Sequence, residues 1–208
     1  MTTDQDIKSD LTQISYILTD CRQLTFDSYN MLVTKTREKF TTIHREKFLK
    51  RVRESFWKLA IIELTKLYSD NSKSDHYSII VLLKNLRRHH SSSGWKDKIT
   101  AQELKEISAS FKTQDIKDRI EKLIELRNQH YAHTDKKPDN NIYDVKFFLE
   151  DGVFLIEKAE NTIKTLADKI GHPIVFANYR GEQMDEFIDK YMEARTNAAM
   201  YAMTNTKV

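Results

Sequence analysis

The chain has 208 residues and a net charge of +3, with a pI near 8.7. This suits one domain, or one domain with a helical extension, and is compatible with nucleic acid without establishing it. Four Gly and two Pro leave little material for tight turns, bulges or a Gly-rich phosphate loop, so an all-α protein is expected. Cys21 stands alone, which excludes an intramolecular disulfide and fits a reduced, cytoplasmic setting. There is no basic leader followed by an apolar run, and Leu59–Ile62 and Ile79–Leu83 are too short to span a bilayer, so no membrane partner is expected.

Through the first forty residues, Leu11, Ile14, Leu18, Cys21, Leu24, Met31 and Leu32 recur at three-to-four spacing, which predicts helix with a bend near Thr25–Ser28. Lys35–Arg53 is rich in Lys and Arg, and is either a solvated helical face or a surface turned to RNA. From about Arg45 to Ser69, Phe56, Trp57, Leu59, Ala60, Ile61, Ile62, Leu64 and Leu67 cover most of a helix, which is expected to be buried. Glu63 falls on its Val52-Phe56-Leu59-Leu67 stripe. A carboxylate pointing inward needs a cation, and Arg127 is the expected partner; the alternative is escape to the helix edge or a structural Lys.

Asp70–Ser74 is a polar loop, with Ser74 or Asp75 placed to cap a helix built on Ile79, Val81, Leu82, Leu83 and Leu86. Arg87-Arg88-His89-His90 suits that helix's negative end. Adjacent His side chains diverge by about 100° and cannot share one metal ion. Ser91-Ser92-Ser93-Gly94 is expected to be a flexible loop. Thr100-Ala101-Gln102-Glu103 forms a capping box for a short helix to about Ser108.

The next helix, from near Thr113 to Asp135, carries Ile116, Ile120, Leu123 and Ile124 at core spacing. It ends in Leu126-Arg127-Asn128-Gln129-His130-Tyr131-Ala132-His133-Thr134-Asp135. Lys136–Asn141 turns the chain into a last long helix over Ile142–Ile170, with Asp151-Gly152 placed to kink it and Gly171-His172-Pro173 to stop it. A final helix over Glu182–Met203, with Met184, Phe187, Ile188, Tyr191 and Met192 on one side, covers the core or a partner. The whole is expected to be a single domain: an N-terminal helical segment (1–40), an antiparallel bundle core (45–170) and a C-terminal helical extension (174–208).

Metal-free cleavage of RNA needs a group of near-neutral pKa to move protons, and a fixed cation to hold charge developing on the phosphate. His130 and His133 are the titrating groups, Arg127 offers a bidentate fork, and Asn128 can anchor a His tautomer or a phosphate oxygen. Arg127 and His130 share a face, whereas Arg127 and His133 are about 120° apart and ~9 Å along a helix. Two copies of this helix meeting on a two-fold axis bring all three together most easily, which favours a homodimer.

Arg127-Asn128 followed by His133, closing a helix in an all-α bundle, resembles the HEPN superfamily (higher eukaryotes and prokaryotes nucleotide-binding). It looks most like the HEPN proteins of abortive phage infection and toxin–antitoxin loci. The resemblance covers about Arg45 to Ile170. It implies a metal-independent endoribonuclease, without cofactor, in which the Arg and His of two protomers form one cleft. The 2′-hydroxyl attacks the adjacent phosphate, leaving a 2′,3′-cyclic phosphate and a 5′-hydroxyl. By position Arg127 would stabilise the phosphorane, Asn128 orient, and His133 act as acid or base; the resemblance assigns His130 no counterpart of its own, and on geometry alone it competes with His133. Glu63 and Asp135 are supporting positions. Some family members carry a Tyr two residues beyond the His, which a partner nucleotidyltransferase modifies; Asp135 stands there in this chain, a departure from that regulation. The implied partners are RNA, a second copy, and an antitoxin or regulatory protein. Polar residues at a helix end also serve as dipole partners, and many HEPN-like domains act only as binding or assembly modules. A metal hydrolase is not indicated, since no His-Glu-x-x-His, Cys pair or convergent carboxylate cluster occurs.

Overall fold

A computed structural model describes residues 3–33, 36–70, 77–132, 151–179 and 181–205, with the side chains of 129–132 and 201–205 outside the description. Among the described residues there are eight α-helices and no strands: α1 (Asp4–Leu32), α2 (Arg37–Arg45), α3 (Lys47–Leu67), α4 (Ile79–His89), α5 (Ala101–Ser110), α6 (Gln114–Ala132), α7 (Val153–Ile170) and α8 (Glu182–Asn205). The all-α architecture expected from Gly and Pro scarcity is what the chain adopts. Two compact units emerge, one formed by 1–22 with 58–178, the other by 23–57 with 179–208. Their boundaries fall inside α1 and α3.

The first unit is a helical bundle around one apolar core. In α1, Ile7, Leu11, Ile14, Leu18 and Cys21 keep a strict three-four alternation and are all buried. They share the interior with Ala60, Ile61 and Leu64 of α3, Leu82 and Leu86 of α4, and Leu155, Ile156, Ala159, Ile163 and Leu166 of α7. Burial pushes the Cys21 thiol well up, so it behaves as a small apolar side chain. Two polar contacts cross this interior. The Tyr68 hydroxyl donates to Leu155 O at 2.6 Å, and the Arg22 guanidinium meets the Glu160 carboxylate.

Several ends are locally dictated. Thr100 and Glu103 form the expected reciprocal capping box. Gly171 sits at φ 77° and closes α7, with its N–H reaching Asp168 O and that of His172 reaching Ala167 O. Asp151 and Gly152 form a π-type turn at the start of α7, the kind of irregularity that bends a helix.

Other expectations are corrected. The cap of α4 is Ser78, whose hydroxyl accepts from Ile80 N, while Ser74 and Asp75 lie outside the described residues. The Ser-rich segment before Gly94 is tied down: a 3-10 turn over His90–Ser92 leads to buried Ser93 and Trp95, and Gly94 N donates to Asp4 Oδ2 at 3.0 Å. On α3 the inward face is Trp57-Ala60-Ile61-Leu64-Tyr68, and Leu59 is exposed.

In the second unit α1 runs unbroken through Thr25–Ser28, where a bend was expected. Thr25, Asp27 and Ser28 are buried there; Ser28 Oγ donates to Arg53 O and the Tyr179 hydroxyl donates to Asp27, while Thr25 Oγ1 has no hydrogen-bond partner among the described residues. Burial raises the Asp27 carboxyl above the usual carboxylate range. Met31, Ile43, Leu49, Met184 and Ile188 form the core, with Val52, Phe56, Tyr191 and Met192 packed against it. The basic stretch therefore breaks into α2 and α3 at Glu46, which is extended at φ −79°, ψ 111°. It is only partly solvated: Arg53 is buried, and Lys39 pairs with Asp189 of α8 at 2.5 Å.

Candidate functional site

The candidate site belongs to the second half of α6. Asp115 lies in the first turn, where a negative charge suits the helix dipole, and pairs at 3.1 Å with Arg119 one turn on. Ile116 and Leu123 are 3% and 0% exposed, with Ile120 and Ile124 half-buried beside them. At 100° per residue Arg127 lies about 20° around the helix from Ile116. It thus continues the core-facing stripe, and it is half-buried. A guanidinium at that place is held against the bundle by its own stem.

Arg127 Nε and Nη2 both donate to Asn128 Oδ1, at 3.3 and 3.1 Å, while Asn128 itself is exposed. The acceptor is a neutral amide. Among the described residues Arg127 makes no ion pair, and Asn128 orients it without adding a negative charge. A guanidinium held this way can take the oxygens of a phosphate in its remaining donor positions.

His130 lies within α6 but its side chain is outside the described residues, as are His133 and Asp135 entirely. Of the residues singled out in the sequence, the structure brings together Arg127 and Asn128.

Glu63 is not the partner of Arg127. Its carboxylate pairs with Lys66 Nζ at 2.7 Å, one turn along the same helix. The reason is rotational: Glu63 is about 120° from the middle of the buried face of α3, at an edge that Lys66 can reach. The stripe shared with Val52, Phe56 and Leu59 was real, but it marks that edge.

A polar cluster that the sequence did not reveal anchors α6. Asp151, 8% exposed, accepts from Arg119 Nη1 and lies 3.3 Å from Lys122 Nζ, and the Arg119 guanidinium stacks 4.3 Å over the Phe154 ring. This fixes the middle of α6 against the start of α7. The two partners are about thirty residues apart in sequence, and no local pattern links them.

His90 was paired with His89 as a doubtful metal motif. Its Nε2 is engaged with Ile99 O at 2.7 Å and its ring stands edge-on to Trp95. Among the described residues no three His, Cys, Asp or Glu side chains gather as metal ligands would.

Comparison with known families decides the kinship. A family model described as HEPN_AbiU2 (AbiU2) matches residues 12–180. The chain belongs to the AbiU2 family, a HEPN-type abortive-infection family. No curated protein and no solved structure matches it. The AbiU2 match runs from α1 past α7 and takes in Arg127, Asn128, His130 and His133. No described helix of this AbiU2 chain is long and apolar enough to cross a membrane.

Proposed function

We propose that this AbiU2-family chain is a metal-independent endoribonuclease that acts in defence against phage, as one arm of abortive infection or of a toxin–antitoxin pair. The observation that carries the reading is the half-buried Arg127, aligned by a neutral Asn128 at the end of a core helix. Arg127 holds the scissile phosphate and the charge that grows on it as the 2′-hydroxyl attacks. His133 removes the hydroxyl proton or protonates the leaving 5′-oxygen, and His130 competes for that role. The products are a 2′,3′-cyclic phosphate and a 5′-hydroxyl. Arg127 and His133 of two copies complete one cleft, so the working species is a homodimer in the cytoplasm.

The test is digestion of a mixed single-stranded and transfer RNA pool in EDTA, with the wild type beside Arg127→Ala, His133→Ala and His130→Ala. Fragments ending in 2′,3′-cyclic phosphate, lost with Arg127→Ala and with either His variant, are the expected result. A folded dimer that leaves all RNA intact overturns the reading in favour of a binding or assembly module.

A further inference from the structure

Beyond the Arg127 stretch, the first unit holds a cavity of about 480 Å³ lined by Arg87, His90, Ala101, Gln102 and Lys105. None of these belongs to α6. The lining combines the end of α4 with the start of α5, two helices that pack on one another. Its chemistry is one-sided: two permanent cations and a His, with no acidic residue among the five. Arg87 and Lys105 are exposed, and neither makes an ion pair among the described residues.

Surface cations beside carboxylates are ordinary. Here the local acids are occupied elsewhere. Glu103 is taken by Lys169 and Thr100, and Glu106 accepts from the Gln102 amide. The His90 ring is not free to swing, because Nε2 is bound to Ile99 O. Arg87 and Lys105, from two packed helices, therefore stand beside one concave space whose five lining residues include no counter-charge. The positive end of α5 adds to this field but does not make the site.

We propose that this cavity is a phosphate subsite, in which Arg87 and Lys105 hold a phosphate ester of RNA or of a free nucleotide. Arg87 supplies a planar fork and Lys105 a point charge, the two ways proteins hold phosphate oxygens. The volume lies within the range of small-ligand pockets and exceeds what a bare ion needs. Only the RNA source rests on the ribonuclease reading; phosphate recognition itself does not.

The test measures binding without cleavage. The full chain is titrated in EDTA and low salt with a fluorescent, 2′-O-methylated oligouridylate, which cannot be cut, and separately with ATP. Arg87→Gln, Lys105→Gln and their double variant are compared with Arg88→Gln, an exposed cation about 100° round α4 from Arg87. Loss of about tenfold in affinity for each cavity variant is expected, with the salt slope on the oligonucleotide falling by about 0.7 per charge removed. Arg88→Gln stays within about twofold of the wild type. Binding of ATP, lost in the double variant, names a free nucleotide as the source; binding of the oligonucleotide alone names RNA. Equal losses with Arg88→Gln and Arg87→Gln, or a double variant that binds as the wild type does, overturn the proposal, as does failure of the wild type to bind either probe. Oligonucleotide binding without ribonuclease activity leaves the subsite standing and removes only the catalytic reading.

Discussion

Arg22 of α1 grips Glu160 of α7 with two parallel bonds, Nε to Oε1 at 2.8 Å and Nη2 to Oε2 at 2.5 Å, and both side chains are about nine-tenths buried. Such a fork ties two core helices at a fixed register. Glu160 raises the Arg22 pKa further, chiefly through this hydrogen bond, so the guanidinium keeps its charge. Removing one partner strands the other charge inside the bundle. Glu160→Ala is expected to cost about 3–5 kcal/mol in urea unfolding, and Arg22→Met a similar amount. The double variant Arg22→Met/Glu160→Leu should recover at least half of that loss, because an apolar pair leaves no buried charge. Additive losses in the double variant would show that the two side chains act separately.

Asn128 offers a second test, directed at chemistry. Its amide oxygen orients Arg127 without cancelling the charge. Asn128→Asp would turn that contact into an ion pair and make the guanidinium compete between carboxylate and phosphate. Cleavage is expected to fall about 10–100-fold. Since residue 128 is exposed, the unfolding midpoint should move by less than about 0.5 kcal/mol. Activity equal to the wild type would remove the Arg127–Asn128 contact from the mechanism.

What the sequence disclosed was local. The Thr100–Glu103 capping box and the Gly171 stop were legible because the residues that make each lie within a turn of one another. Where the deciding partner was distant, the pattern misled. Thr25–Ser28 looked like a bend or break because the apolar spacing lapses there. In the fold Ser28 and Asp27 meet Arg53 and Tyr179, 25 and 152 residues away, which no local pattern could show. Ser74 or Asp75 was expected to cap α4, but Ser78 does so, and its hydroxyl also donates to Leu67 O, a contact only the folded chain provides. In the candidate site, Ile116, Ile120, Leu123 and Ile124 showed the core spacing of α6, whereas the half-buried place of Arg127 was read only from the structure. The same reasoning failed for Glu63, because a stripe of apolar residues can mark the edge of a helix as well as its buried face.

Gly181 precedes α8 at φ 84°, in the left-handed region that residues with a Cβ avoid. A Cβ there would stand 2.1 Å from Asn30 Nδ2 and 3.2 Å from Phe26 O. The Asn30 amide can swing away, but the Phe26 carbonyl belongs to α1 and cannot. Gly181→Ala is expected to cost about 1–2 kcal/mol for the backbone conformation alone, with the crowding added. Because Met184 and Ile188 follow within two turns and belong to the core of that unit, the loss should appear as faster amide exchange at the start of α8. Unchanged exchange and stability would mean that the turn relaxes without strain.

Acid titration isolates the last pair. Lys169 Nζ bonds the Glu103 carboxylate, and the Thr100 N–H and hydroxyl donate to the same group at 2.7 and 2.9 Å. Together, with Lys169 first, they hold Glu103 down to about 2, against an ordinary value of 4.5. Between these values the unfolded chain binds more protons than the folded one, so stability falls as pH falls. The stabilisation is complete above about 4.5 and lost as pH drops through about 2. Glu103→Gln keeps an acceptor for the Thr100 N–H but cannot ionise. Its unfolding midpoint should therefore depend less on pH across that window than the wild type's, with the two curves converging at the acid end. Asp27 works in the opposite sense: burial raises its pKa, so its contribution is present below the ordinary 3.8 and lost as pH rises through the raised value. An Asp27→Asn background removes that opposing slope, and the difference between the two curves in it reports Glu103. Parallel curves for the wild type and Glu103→Gln in that background would show that the Lys169 contact gives α5 no pH-dependent hold on α7.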